Sequence, residues 1–208
     1  MRTAPVLRGG LAQRLVWLVA GLFVFSLGII CFLESRLGLP PWDVLHQGIA
    51  KHTPLSFGVA NELVGVIVLL IAWRLGARVG IGTVGNAILI GLFIVVMQPL
   101  QLVHELGHLP LAGRLGLLAV GLVLFGVGSA FYIGADLGAG PRDSLMLVGA
   151  RRTGTRVGVV RAVIEIFVLL VGVLLGGRVG IGTVLFAALI GPSVEASFWL
   201  VSRTRLVR

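Results

Sequence analysis

Arg78-Val79-Gly80-Ile81-Gly82-Thr83-Val84 returns unchanged as Arg178-Val179-Gly180-Ile181-Gly182-Thr183-Val184. The offset of 100 residues, applied to the whole chain, aligns much more than this heptapeptide. Leu37-Gly38 falls on Leu137-Gly138, Pro41 on Pro141, Asp43 on Asp143 and Thr53 on Thr153. Gly28, Gly58-Val59, Gly76 and Leu89-Ile90-Gly91 also meet their own kind, and no gap is needed. Agreement in one ungapped register over half the chain is the mark of a duplicated unit.

The unit is built for lipid. Of 208 residues 57% are hydrophobic and 12% charged, and the mean hydropathy is +1.07. A soluble domain carries about 25% charged residues, so much of this surface must face hydrocarbon. A crossing helix needs about 20 mostly apolar residues. Six segments qualify: Leu15–Leu33, Phe57–Trp73, Gly80–Leu100, Leu115–Ile133, Gly158–Leu175 and Ile181–Leu200. The organisation is then a basic segment 1–14, a first repeat 15–100, a linking loop 101–114, a second repeat 115–200 and a basic tail 201–208. The expected fold is an all-α polytopic membrane protein of six transmembrane helices. Three crossings per unit are an odd number, so the second unit enters the membrane from the opposite face. Inverted repeats of this kind are a common construction in secondary transporters.

Net charge is +9, nearly all of it arginine. No basic stripe interleaves with aromatic residues, which argues against nucleic acid. With the N-terminus inside, thirteen of the 17 cations fall on the cytoplasmic side, leaving Arg36, Lys51, Arg114 and Arg178 outside. The positive-inside rule therefore places both termini in the cytoplasm and the protein in the bacterial inner membrane. The apolar stretch after Arg14 is too long for a signal peptide and lacks its small-residue exit, so it reads as a retained first helix. The single cysteine, Cys31, lies in an apolar run; it makes no internal disulfide and reads as a packing residue.

After the first span of each unit the pattern breaks. Leu37-Gly38-Leu39-Pro40-Pro41-Trp42-Asp43 and Leu137-Gly138-Ala139-Gly140-Pro141-Arg142-Asp143 both interrupt a helix with Gly and Pro. An Asp two residues after Pro can cap a new helix. Short re-entrant or interfacial helices are expected at Asp43–Lys51 and Asp143–Arg151. Broken backbone is tolerated at membrane depth only where protein or a cavity shelters it, and a free helix N-terminus there attracts an anion or carboxylate.

Charged groups inside spans face protein or water. Arg161 and Glu165 are four apart and can pair on one helix face. Glu62 sits a turn inside the second span, and Glu195 lies near the end of the sixth, within reach of headgroups. Pro41, Asp43, Glu62, Pro141, Asp143, Arg161 and Glu165 are thus the candidate substrate-binding residues, with protonation of Glu165 as the coupling step. Asn86 meets Phe186 at the offset and breaks the symmetry. The 31 glycines suit close helix contact in lipid.

One motif competes. His104-Glu105-Leu106-Gly107-His108 matches H-E-x-x-H, which on a helix could hold zinc with Glu105 as general base. It lies in the linking loop, outside the duplicated unit, with Pro110 close behind and no third ligand in view, so no catalytic residue, metal or cofactor is assigned.

The stretch Pro41-Trp42-Asp43-Val44-Leu45-His46-Gln47-Gly48 together with Gly80-Ile81-Gly82-Thr83 resembles the YczE/YyaS/YitT-type bacterial integral membrane proteins. The resemblance runs from about residue 15 to 200. It implies an inner-membrane protein, carries over no catalytic residue, and lowers the protease reading. The second unit departs from it at Arg142, where the first has Trp42. The leading expectation is a transporter of a small solute or ion, with the lipid bilayer as partner and room for a homo-oligomer. The alternatives are a non-transporting scaffold and an intramembrane zinc protease.

Overall fold

A computed structural model describes residues 6–77, 79–155, 157–204 and 206–207, without the side chains of 101, 102, 104, 157 and 158. Arg2, Arg78, Arg156, Arg205 and Arg208, used above for orientation, lie outside the described residues. The fold is all helix: α1 Leu11–Ser35, α2 Pro41–His52, α3 Phe57–Arg74, α4 Ile81–Met97, α5 Gln101–Leu106, α6 Leu111–Gly134, α7 Pro141–Thr153, α8 Val157–Leu174 and α9 Ile181–Ser202. The duplicated unit is therefore a four-helix string, α1–α4 and α6–α9, in which the second helix is short. Among the described residues α1, α3, α6 and α9 are long and apolar enough to cross a membrane, and α4 is a shorter apolar helix. Large apolar side chains face outward along them and along α8: Leu174 is 84% exposed and Phe167 66%. In water such a surface would aggregate; in lipid it is the outside of the protein.

α1 and α6 form the central seam and run antiparallel. Glycines at equivalent positions, Gly21 and Gly28 on α1 and Gly121 and Gly128 on α6, let the two backbones touch. A Cβ on Gly21 would stand 2.5 Å from Tyr132 N, and one on Gly128 would stand 2.6 Å from Phe25 N. The seam is closed at both ends by the same device. Arg14 Nε donates to Ala135 O at 2.7 Å, and Arg114 Nε donates to Ser35 O at 2.6 Å. These cations satisfy carbonyls left open where each helix stops.

Beyond each seam helix the chain bends through left-handed residues, Arg36 and Gly38 in one unit, Asp136 and Gly138 in the other. At φ 119° and 124° the two glycines hold a conformation that side chains resist. The bends are clasped crosswise. Gly82 N donates to Leu137 O at 2.8 Å, and Gly182 N donates to Leu37 O at 2.9 Å. Thr83 and Thr183 accept from the N–H of Gly80 and Gly180, at 3.1 and 3.3 Å, and so fasten the starts of α4 and α9. Residues 100 apart even touch each other: the Phe25 and Phe125 rings meet edge to face at 4.6 Å. The two ends of the chain meet on one side, where Leu7 pairs with Val207 and Leu7 N donates to Gly134 O.

Gly128→Leu should overfill the seam and cost about 1–3 kcal/mol or more, seen as loss of the monodisperse peak and a lower unfolding midpoint in detergent. Gly116→Leu, on the same helix with nothing within 4 Å of a new Cβ, should stay within about 0.5 kcal/mol of the parent. Equal tolerance at the two sites would contradict the seam.

Candidate functional site

α2 and α7 begin inside the protein. Proline at the first helical position costs nothing, since its missing N–H would have been unpaired there, and Pro41 and Pro141 both occupy it. Trp42 packs against Val68 and Val64 in the middle of α3 and against Val168 of α8. The short helices therefore start at about half the depth of the long ones and run back toward opposite ends. The first intrahelical bonds are Val44 N to Pro40 O and Ser144 N to Gly140 O. The N–H groups of Trp42, Asp43, Arg142 and Asp143 precede them and point out of the helix starts.

The two starts face a cavity of about 170 Å³. Its charged wall is made by Asp43, Arg142, Asp143, Arg161 and Glu165, and its apolar wall by Phe25, Phe125 and Phe186 with Trp42 and Tyr132. Arg161 Nε donates to Glu165 Oε1 at 2.9 Å, the pairing expected from their spacing. Tyr132 OH donates to Asp143 Oδ2 at 3.0 Å. The Arg142 guanidinium lies 4.8 Å from the Trp42 ring centre, again a contact between positions 100 apart. Behind the wall, Asp43 is 1% exposed and His46 0%. His46 Nδ1 lies 3.2 Å from Asp43 Oδ1 and 3.1 Å from the Asn61 amide. Nε1 of Trp42 and Nε2 of His46 are buried without a hydrogen-bond partner among the described residues.

The candidates from the sequence divide clearly. Pro41, Asp43, Asp143, Arg161 and Glu165 come together at the cavity. Pro141 is fully buried at the start of α7 and shapes the helix without lining the space. Glu62 is elsewhere: its Cβ abuts Gly91 in the α3–α4 seam. Neither Asp is an N-cap. Pro40 and Gly140 hold that position, and the carboxylates sit in the first turn with no capping bond, because proline at the first helical position moves the start two residues earlier. That frees Asp43 for His46 and Asp143 for Tyr132. Arg142 and Arg161 line the cavity, so neither marks the cytoplasmic surface; among the described residues six of the ten remaining cations fall on the side of the termini.

Arg142, Tyr132, Trp42, His46 and Asn61 were missed. Each of these lies at a position where the two units differ, Trp42 against Arg142, Phe32 against Tyr132, His46 against Met146 and Asn61 against Arg161, as does Glu165 against Gly65, but so do most other positions, which hid the signal. The H-E-x-x-H segment fares differently. α5 ends at Leu106 and His108 lies in the following turn, so the two histidines do not share a helix. The His104 side chain is outside the described residues, and among those described no group of three metal-binding side chains forms.

The chain belongs to the family described as "Family of unknown function (DUF6198)", whose model matches residues 12–197. It is 38% identical to an "Uncharacterized protein" of Haemophilus influenzae over 89% of this chain and 84% of that one. It is 33% identical to "Uncharacterized membrane protein YczE" of Bacillus subtilis, covering 87% of this chain and 83% of the relative. It is 28% identical to "Uncharacterized protein YyaS" of the same organism, over 88% and 91%. The resemblance read from the sequence is thus to true relatives, and the chain is a helical membrane protein. No solved structure matches it.

The buried Asp43–His46 pair should show coupling. In a double-mutant cycle of Asp43→Ala and His46→Ala, unfolding in detergent should give an interaction energy of about 1–3 kcal/mol, whereas additivity within about 0.5 kcal/mol would deny the pair.

Proposed function

We propose that this protein is a carrier for a small solute in the bacterial inner membrane, built from two inverted repeats and working by alternating access. The reading rests on one observation: a cleft lies beside one unit where the equivalent region of the other unit is more closely packed, with Gly138, Ala139 and Leu147 more exposed than Gly38, Leu39 and Gln47. On the side of the termini a cleft of about 830 Å³ is lined by Ala77, Gly138, Ala139, Ser144 and Leu147. The equivalent positions on the far side are Gly177, Gly38, Leu39, Val44 and Gln47. There Leu39 and Val44 are buried, Gly172 and Gly48 lie against Leu45 and Leu175, and Gln47 Oε1 accepts from Arg178 N at 2.7 Å. The cleft leads toward Ala139 and Ser144, which flank the helix start that faces the central cavity.

The docking of the third helix in each unit follows the same division. α3 lies against α4, where a Cβ on Gly91 would stand 2.6 Å from Gly58 O. Gly191, its equivalent on α9, has nothing within 4 Å of that position, and α8 instead lies along α2. Each third helix thus lies on the partner's short helix, α3 on α7 and α8 on α2, and α3 is in addition docked closely on α4. Two units with the same glycine and proline framework can adopt either packing at similar energy, so exchanging the packings requires no new kind of contact. The exchanged form would close the cleft beside the termini and open its counterpart.

Several features support the membrane orientation and the inversion. α1 and α6 are equivalent in the repeat yet antiparallel, the ends of the chain share one side, and the cations favour that side as cytoplasmic. The six crossings would be α1, α3, α4, α6, α8 and α9, with α2 and α7 as the half-helices. Glycines make the close contacts of the α3–α4 seam, where motion would occur.

The test needs no known solute. Ser129, 6% exposed and on the cavity wall, is replaced by cysteine in a Cys31→Ser background. A membrane-impermeant maleimide is then applied to intact cells and to inside-out vesicles. Labelling from both sides is the expected result. Labelling from neither side, or from one side only under all conditions, would favour a fixed scaffold. Glu165→Gln should leave the unfolding midpoint within a few degrees but suppress labelling from one of the two faces; unchanged two-sided labelling would remove Glu165 from the exchange.

A further inference from the structure

We infer that the central cavity binds a small zwitterion, a solute of amino-acid size carrying one carboxylate and one ammonium group. The inference rests on the carrier reading for the solute's passage and on the cavity itself for the chemistry. Arg142 is the key group. Among the described residues its guanidinium makes no hydrogen bond and no ion pair within 4.0 Å; it lies over the Trp42 ring and within electrostatic reach of Asp43, Asp143 and Glu165. Five N–H donors beside a low-dielectric space are a receptor for a carboxylate.

The backbone points the same way. The starts of α2 and α7 converge on the cavity, and each brings unpaired N–H groups and the positive end of a helix dipole. Trp42, 6% exposed and on the cavity wall, adds an indole N–H with no partner.

A simple anion does not complete the site. The wall carries acceptors as well as donors: Asp143 and Glu165 line it beside Arg142. Asp143 uses one oxygen for Tyr132 and Glu165 uses one for Arg161; Asp143 Oδ1 and Glu165 Oε2 accept nothing among the described residues. An ammonium group takes up these acceptors, and the aromatic wall stabilises it further. A solute with only the carboxylate leaves these acceptors without a donor, and one with only the ammonium leaves the Arg142 N–H groups without an acceptor. The space of about 170 Å³ also limits size. At roughly 30 Å³ per water it accommodates several heavy atoms, which excludes nucleotides and oligosaccharides.

Three equimolar pools separate the possibilities: the standard L-amino acids, their N-acetyl forms, which keep only the carboxylate, and their methyl esters, which keep only the ammonium. Each is added at millimolar concentration to the purified protein in detergent, and the unfolding midpoint is read. The free amino-acid pool should raise the midpoint by several degrees through binding to the folded state, and neither modified pool should. Arg142→Gln and, independently, Asp143→Asn should lose the rise, with near-parental midpoints in the absence of solute. Stabilisation by the N-acetyl pool or by the ester pool equal to that of the free pool would overturn the zwitterion, as would no stabilisation by any pool. Two-sided thiol labelling with no amino-acid response would leave the carrier and remove this solute class. A free-pool response without two-sided labelling would leave the binding site and remove the carrier.

Discussion

Everything in this protein follows from the rule that a backbone polar group in hydrocarbon needs a partner. An unpaired amide buried without compensation costs about 2–7 kcal/mol, so a chain broken at residues 36–40 and again at 136–140 could not stand alone at depth. The solution is mutual. The carbonyl of Leu137 is met by Gly82 and that of Leu37 by Gly182, so each unit's interruption is covered by the glycine-opened helix of the other unit. Neither unit can be removed without exposing the other's broken backbone. The repeated Gly-Ile-Gly-Thr is the consequence: only residues without side chains let the start of α4 or α9 come close enough to serve.

That mutual cover places the two short helices nose to nose. Because the helix starts come from equivalent positions, residues 42 and 142 touch, and the space beside them is where the units meet. Packing residues there are held in common, as with Phe25 and Phe125. The chemistry is divided: an indole on one side and a guanidinium on the other, a phenol where the partner has a phenyl ring, a carboxylate where the partner has glycine. In the proposed carrier, a cavity at such a meeting point keeps its shape while its surroundings exchange packing.

The sequence revealed the scaffold well and the site in part. The segment Phe57–Trp73 is the helix α3 to within a residue and the other five segments match helices within a few, because apolar length and glycine punctuation are local signals; among the described residues α1, α3, α6 and α9 are long and apolar enough to cross a membrane. The pairing of Arg161 with Glu165 was equally local. Pro41 and Pro141 announced the interruptions, but the helix start they set moved Asp43 and Asp143 into the first turn, where they meet His46 and Tyr132 instead of capping. Glu62 looked intramembrane and functional; the close α3–α4 packing permitted by Gly91 takes it away from the cavity. Arg142 read as a surface charge because its role depends on Trp42, 100 residues earlier, and no local pattern carries that meeting. That the two units differ at that position was the one trace of it in the sequence.

The central claim is that the two units exchange packings about a fixed cavity. In a Cys31→Ser background, spin labels at Leu63→Cys and Ile88→Cys report the α3–α4 seam, and labels at Val163→Cys and Ala188→Cys report α8 against α9; all four positions are exposed. Pulsed dipolar distances in lipid nanodiscs should show a short and a long population for each pair, with one pair lengthening as the other shortens. A single narrow distance for each, short for the first pair and long for the second under every condition, would contradict the account.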